Sequence, residues 1–78
     1  MTVRVGVFGS DGRMGSEVVS AVNGATDLEF VAGLDEGDDR ARLLDAQTDV
    51  VVDFTNPAVV MDNLRFCIEN GIHSVVGT

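Results

Sequence analysis

The stretch Val5 to Glu17, VGVFGSDGRMGSE, places a glycine at every third position: Gly6, Gly9, Gly12 and Gly15. Before it runs a short valine-rich segment, Val3 to Phe8, that reads as a strand buried on both faces. From Met14 the apolar period changes. Met14, Val18, Ala21 and Val22 stand at i, i+4, i+7 and i+8, one stripe of a helix. A strand that turns through glycines straight into a helix leaves few folds open, because the helix then serves as the crossover to a parallel neighbour.

The rest of the chain repeats the alternation. Asn23-Gly24 supplies residues suited to a left-handed helix end, and Asp27 to Asp35 reads as a second strand. Asp35 to Arg40, DEGDDR, is a solvated acidic loop, and Ala41 to Gln47 forms one or two helical turns. Asp49 to Phe54 is a third strand, its three consecutive valines again pointing to burial on both faces. Asn56 is a candidate N-cap with Pro57 at the first helical position. The helix that follows carries Val60, Leu64, Cys67 and Ile68 as its apolar stripe and ends at Asn70-Gly71. Ile72 to Thr78 offers a fourth strand.

Such alternation predicts an α/β fold: a Rossmann-like parallel sheet, incompletely doubly wound, forming one domain over residues 1–78. The expected strand order is 3-2-1-4. Its reversal would lie between strands 1 and 4, bringing Gly9 and Gly77 to one crevice.

Gly9 to Gly15 is G-x-x-G-x-x-G, a variant of the dinucleotide fingerprint, in the strand-to-helix context that fingerprint requires. Gly9 permits the tight turn, Gly12 lets backbone approach a diphosphate, and Gly15 allows close packing of the helix. The unpaired N–H groups and positive dipole end of that helix then face the anion, with the Met14 backbone inside the loop. Gly6, within the strand, reads as a packing position. Asp35, twenty residues beyond Gly15, is placed to accept hydrogen bonds from the adenosine ribose. With Glu36 beside it, it disfavours a 2′-phosphate, so NADH is the expected cofactor. Arg13 can reach either the diphosphate or a 2′-phosphate, against the opposing charge of Asp11, which leaves NADPH open as a second cofactor.

Composition excludes several other functions. Thirteen acidic residues against five basic ones give a net charge of -8, which opposes binding to nucleic acid or an anionic membrane. The single Cys67 forms no internal disulfide and has no partners for a metal site, which fits a reducing cytoplasm. No export signal or membrane-spanning segment is expected. Asp53 reads as a residue that binds the backbone of its own turn, His73 as exposed or structural, Cys67 as a buried inert thiol, and Met14 and Met61 as packing residues.

The segments VGVFGSDGRMG, GLDEGD, VVVDFTNP and NGIHSVVGT together resemble 4-hydroxy-tetrahydrodipicolinate reductase, also called dihydrodipicolinate reductase, in its actinobacterial form. The glycine loop is shared with many dehydrogenases; DFTNP before a helix and NGIHSVVGT are more specific. The resemblance implies that Gly9, Ser10, Asp11, Gly12, Arg13, Met14 and Asp35 bind the cofactor. It puts Phe54 and Thr55 near the nicotinamide, and Gly77 and Thr78 at the start of a segment beside the carboxamide. It also implies reduction of a cyclic small-molecule intermediate of the diaminopimelate route to lysine, with NADH or NADPH, by a cytoplasmic homotetramer. Asp11 stands where related loops often carry a basic residue. The family's substrate domain and catalytic residues would lie beyond Thr78, so these residues alone are expected to be inactive. The glycine loop by itself also fits another dehydrogenase of amino-acid metabolism, or a non-catalytic nucleotide-sensing module, since fold does not specify chemistry.

Overall fold

The computed structural model describes residues 2–77. Strands β1 (Val3–Phe8), β2 (Leu28–Leu34), β3 (Val50–Asp53) and β4 (His73–Val76) alternate with helices α1 (Arg13–Asn23), α2 (Ala41–Asp45) and α3 (Pro57–Glu69). All three strand pairings are parallel. The class is the expected one, but the order is β2-β1-β3-β4 rather than 3-2-1-4.

Gly6 and Arg4 account for the difference. A Cβ on Gly6 would stand 2.7 Å from Leu43 Cδ2 and 3.2 Å from Thr48 Cγ2, so the bare backbone of β1 is what lets α2 lie across it. Arg4 then fastens the incoming chain: its Nε and Nη2 donate to the Ala46 carbonyl at 3.0 and 2.8 Å, and its backbone N–H donates to Asp49 Oδ2 at 2.9 Å. The connection from β2 therefore passes over β1, and β3 lands on the far side of it. Val5 to Phe8 pair in register with Val50 to Asp53. The reversal of winding consequently lies between β1 and β3, not between strands 1 and 4.

Side chains alternate across the sheet. Gly6 and Phe8 face α2 and α3, where Phe8, Leu34, Leu43, Val51, Cys67 and Ile72 form the buried core. Val5 and Val7, both buried, point to the opposite face. Strand β1 is thus covered on both sides from Val5 onward, as expected. Strand β3 alternates between buried and half-buried positions, and β4, at the sheet edge, is largely exposed.

Both helical stripes lie slightly off their expected positions. In α1, Gly15 and Val22 are buried while Met14 is 52% exposed and Ala21 is also exposed. The burying face runs Gly15, Val18, Val19, Val22, because a glycine rather than methionine can meet the loop below. In α3, Asn63 and Cys67 are buried and Ile68 is 73% exposed. Met61 is likewise exposed rather than packed.

Asn56 caps α3 as expected, its side chain accepting from the Ala58 N–H at 2.9 Å with Pro57 beginning the helix. The two helix ends differ. Gly71 is left-handed with φ +69°, but Gly24 is right-handed with φ -85°, so α1 closes without the left-handed residue that Asn23-Gly24 suggests. No helix among the described residues is long and apolar enough to cross a membrane.

Candidate functional site

The carboxyl ends of β1, β2 and β3 carry every sequence-selected residue except Gly77, which follows β4, and Thr78, which lies outside the described residues. Gly9 leaves β1 with φ +83°, and its N–H donates to the Leu34 carbonyl at 2.7 Å. A Cβ there would also stand 3.2 Å from the Phe54 carbonyl oxygen. The turn closes with the Gly12 N–H donating to the Gly9 carbonyl at 3.1 Å, and Gly12 serves as the extended N-cap of α1. At Gly15 a Cβ would overlap that same Gly9 carbonyl oxygen. Close packing at Gly15 is therefore against the loop itself.

No side chain caps α1, and no acidic residue occupies its first turn. Among the described residues, the N–H groups of Arg13, Met14 and Gly15 meet no acceptor. Three donors at the positive end of a helix dipole therefore point into the mouth of a cavity of about 340 Å³. Gly9, Gly12, Arg13, Met14, Gly15, Phe54, Thr55 and Gly77 line it, so Gly9 and Gly77 do share a crevice, by way of Phe54. Gly77 makes room for that ring: a Cβ on it would fall 2.8 Å from Phe54 Cζ. Arg13 and Asp11 are both exposed, and Arg13 pairs with no carboxylate among the described residues.

Asp35 ties the loop to the end of β2. Its Oδ2 accepts from Ser10 Oγ at 2.9 Å and its Oδ1 from the Asp11 N–H at 3.0 Å. Gly33 makes space for the Ser10 hydroxyl, since a Cβ there would stand 2.7 Å from Ser10 Oγ. A carboxylate oxygen has room for a second hydrogen bond, so Asp35 retains acceptor capacity toward a ligand. A cavity of about 430 Å³ opens beside it, lined by Asp35, Glu36, Asp38, Arg40, Phe54, Thr55, Val59 and Asn63 among others. The two cavities share Phe54 and Thr55 and so flank the turn after β3.

Asp53 binds its own turn as expected, its Oδ1 accepting from the Thr55 N–H at 2.9 Å. Sequence reasoning missed Asn63 and Arg40. Asn63 is 4% exposed, and its Nδ2 donates to Asp53 Oδ2 at 3.1 Å while its Oδ1 accepts from Arg40 Nε at 2.8 Å. The available signal was an asparagine at i+3 from Val60 and i-4 from Cys67, on the burying face of α3. His73 is exposed. Cys67 is fully buried, and burial first, then the Asp53 carboxylate, push its thiol above the ordinary value, with Arg40 acting in the opposite sense.

Residues 3–78 match the family model described as dihydrodipicolinate reductase, N-terminus. The 4-hydroxy-tetrahydrodipicolinate reductase of Mycobacterium sp. (strain KMS) is 58% identical over 76 residues, covering 97% of this chain and 31% of that protein. That of Corynebacterium aurimucosum is 55% identical over 78 residues, covering 100% of this chain and 32% of that protein. The solved dipicolinate-bound dihydrodipicolinate reductase from Paenisporosarcina sp. TG-14 superposes with a TM-score of 0.90 at 27% identity, over 100% of this chain and 38% of that one. The chain spans about a third of the length of the curated relatives it matches. Matched by that family model over nearly its whole length, the chain belongs to the dihydrodipicolinate reductase family, to the part the model calls the N-terminus.

Proposed function

We propose that this chain holds the dinucleotide of an NAD(P)H-dependent reductase, with NADH preferred, and that the protein to which it belongs reduces the cyclic intermediate of the diaminopimelate route to lysine. The single observation that carries the cofactor assignment is the mouth of α1, where three backbone N–H groups lack acceptors among the described residues. The residues there fit a diphosphate. A Cβ on Gly12 would meet only the Gly9 carbonyl oxygen, at 3.4 Å, so its ligand side is clear.

In this reading Gly9 to Met14 hold the diphosphate, Ser10 and Asp11 through a loop that Asp35 anchors, and Arg13 adds a cation at its outer edge. Asp35 accepts from the adenosine ribose hydroxyls in the larger cavity. Phe54, Thr55 and Gly77 border the nicotinamide, with the Phe54 ring filling the space that Gly77 leaves. The bound cofactor supplies hydride. These residues orient it and keep water from one of its faces.

Preference for NADH follows from charge. Asp35, Glu36 and Asp38 line the larger cavity, and the Arg40 Nε is committed to Asn63. One carboxylate at 4 Å from a phosphate charge costs about 1 kcal/mol in water and about 4 at an effective dielectric near 20. The assembly and setting that go with this reading are a homotetramer in the cytoplasm, with a small-molecule substrate bound by residues outside this chain.

Titration calorimetry with NADH and NADPH tests the cofactor reading: NADH binds, and more tightly than NADPH. Binding of neither by the folded chain sinks it, and tighter NADPH binding sinks the preference. Oxidation of NADH by the whole protein with the diaminopimelate-route intermediate tests the reaction.

A further inference from the structure

The polar chain behind Thr55 is more than a turn. Asp53 is 1% exposed, and no cation touches its carboxylate among the described residues. Its Oδ1 accepts from the N–H and the hydroxyl of Thr55, at 2.9 and 2.5 Å, and its Oδ2 from Asn63 Nδ2 at 3.1 Å. Asn63 Nδ2 also lies 3.4 Å from Thr55 Oγ1, and its Oδ1 accepts from Arg40 Nε at 2.8 Å. A carboxylate needs donors and a guanidinium needs an acceptor, and an amide is the side chain that supplies both at once. The orientation of Asn63 is fixed by that chemistry.

Three residues of this bonded group form part of the wall of the larger cavity. Arg40 arrives on the loop after β2, Thr55 on the turn after β3, and Asn63 rises from α3 between them, all three lining the space.

We propose that Asn63 is a positioning residue: by joining Arg40 to Asp53 it holds Thr55, and with it the nicotinamide side of the cleft, at a fixed distance from the loop after β2. The proposal rests on the dinucleotide reading of the cleft for its effect on ligand, but not for its effect on Thr55. The diphosphate donors of α1 and the Asp35 carboxylate do not depend on Asn63. Loss of the link therefore acts on one half of the cofactor.

The test is a swap. Asn63→Asp removes the donor and sets two carboxylates face to face, whereas Asp53→Asn with Asn63→Asp restores the link in the reverse sense: the new amide donates to the new carboxylate, which accepts from Arg40, and only the long 3.4 Å contact with Thr55 Oγ1 is given up. Amide exchange at Thr55, measured by NMR on the folded proteins, rises about tenfold in Asn63→Asp and returns to the parent rate in the double variant. NADH affinity falls about tenfold in the single variant while ADP affinity stays within about twofold, and the swap restores the former. Unchanged Thr55 exchange in the single variant, a swap that folds but fails to restore it, or equal losses for NADH and ADP would overturn the proposal. If the parent chain binds neither ligand, the dinucleotide reading fails, and Thr55 exchange alone decides the positioning role. If Asn63→Asp does not fold, recovery of folding and of parent Thr55 exchange by the swap supports the link, and absence of that recovery overturns it.

Discussion

At the scale of single residues, the glycines divide by what a methyl group would meet. Gly15→Ala drives a Cβ into the Gly9 carbonyl, and the clash is with backbone that the turn holds in place. It should cost about 1–3 kcal/mol and displace the loop. Gly9→Ala adds a side chain at φ +83° and should cost about 1–2 kcal/mol. Gly24 is the contrasting case, right-handed and with only the Ser20 and Ala21 carbonyls near, at 3.7 and 3.6 Å. Gly24→Ala should therefore be neutral or stabilise by up to about 1 kcal/mol. Urea denaturation of the three variants gives the comparison, and a Gly24→Ala loss as large as that of Gly15→Ala would refute it. Cys67 makes a prediction about pH. Burial raises its thiol above the ordinary value of 9.0, so the folded state keeps a proton that the unfolded state releases. That contribution to stability is complete below the unfolded value and disappears as pH rises through the folded one. Cys67→Ala should lose less stability between neutral and strongly alkaline pH than the parent, and the parent thiol should resist alkylation until the protein unfolds.

At the scale of elements, capping and periodicity carried most of the fold. Asn56-Pro57 marks the start of α3 because an amide side chain accepts from the first turn and proline needs no acceptor there. Asn56→Ala should cost about 1 kcal/mol, read as a lower thermal midpoint with α3 otherwise intact; no measurable change would mean the bond is not maintained in solution. Period alone misplaced one edge of each long helix. It favoured Met14 and Ile68 as core, where Gly15 and Asn63 are buried, because periodicity counts apolar character alone; the glycine motif had marked Gly15 as a packing position, and nothing had marked Asn63. Strand order was illegible for a related reason. Alternation gives parallel strands without saying on which side each one lands, and the deciding contacts, Leu43 over Gly6 and Arg4 on Ala46, join residues far apart in sequence.

At the scale of the whole molecule, one end of the sheet collects the candidate site. The loop of Gly9 to Gly15 and Asp35 were visible in the residues themselves, as short motifs at strand ends, and the turn at Phe54-Thr55 through the family resemblance. The link from Arg40 through Asn63 to Asp53 was not, because it joins three separate elements. A net charge of -8 means that a dinucleotide gains nothing from long-range attraction, so the local donors must hold it. The most direct measurement is an NMR titration of the ¹⁵N-labelled chain with NADH. The account predicts that the backbone amides of Arg13, Met14 and Gly15 shift most and saturate together. Binding with those three amides unmoved, or no binding by the folded chain, would contradict it.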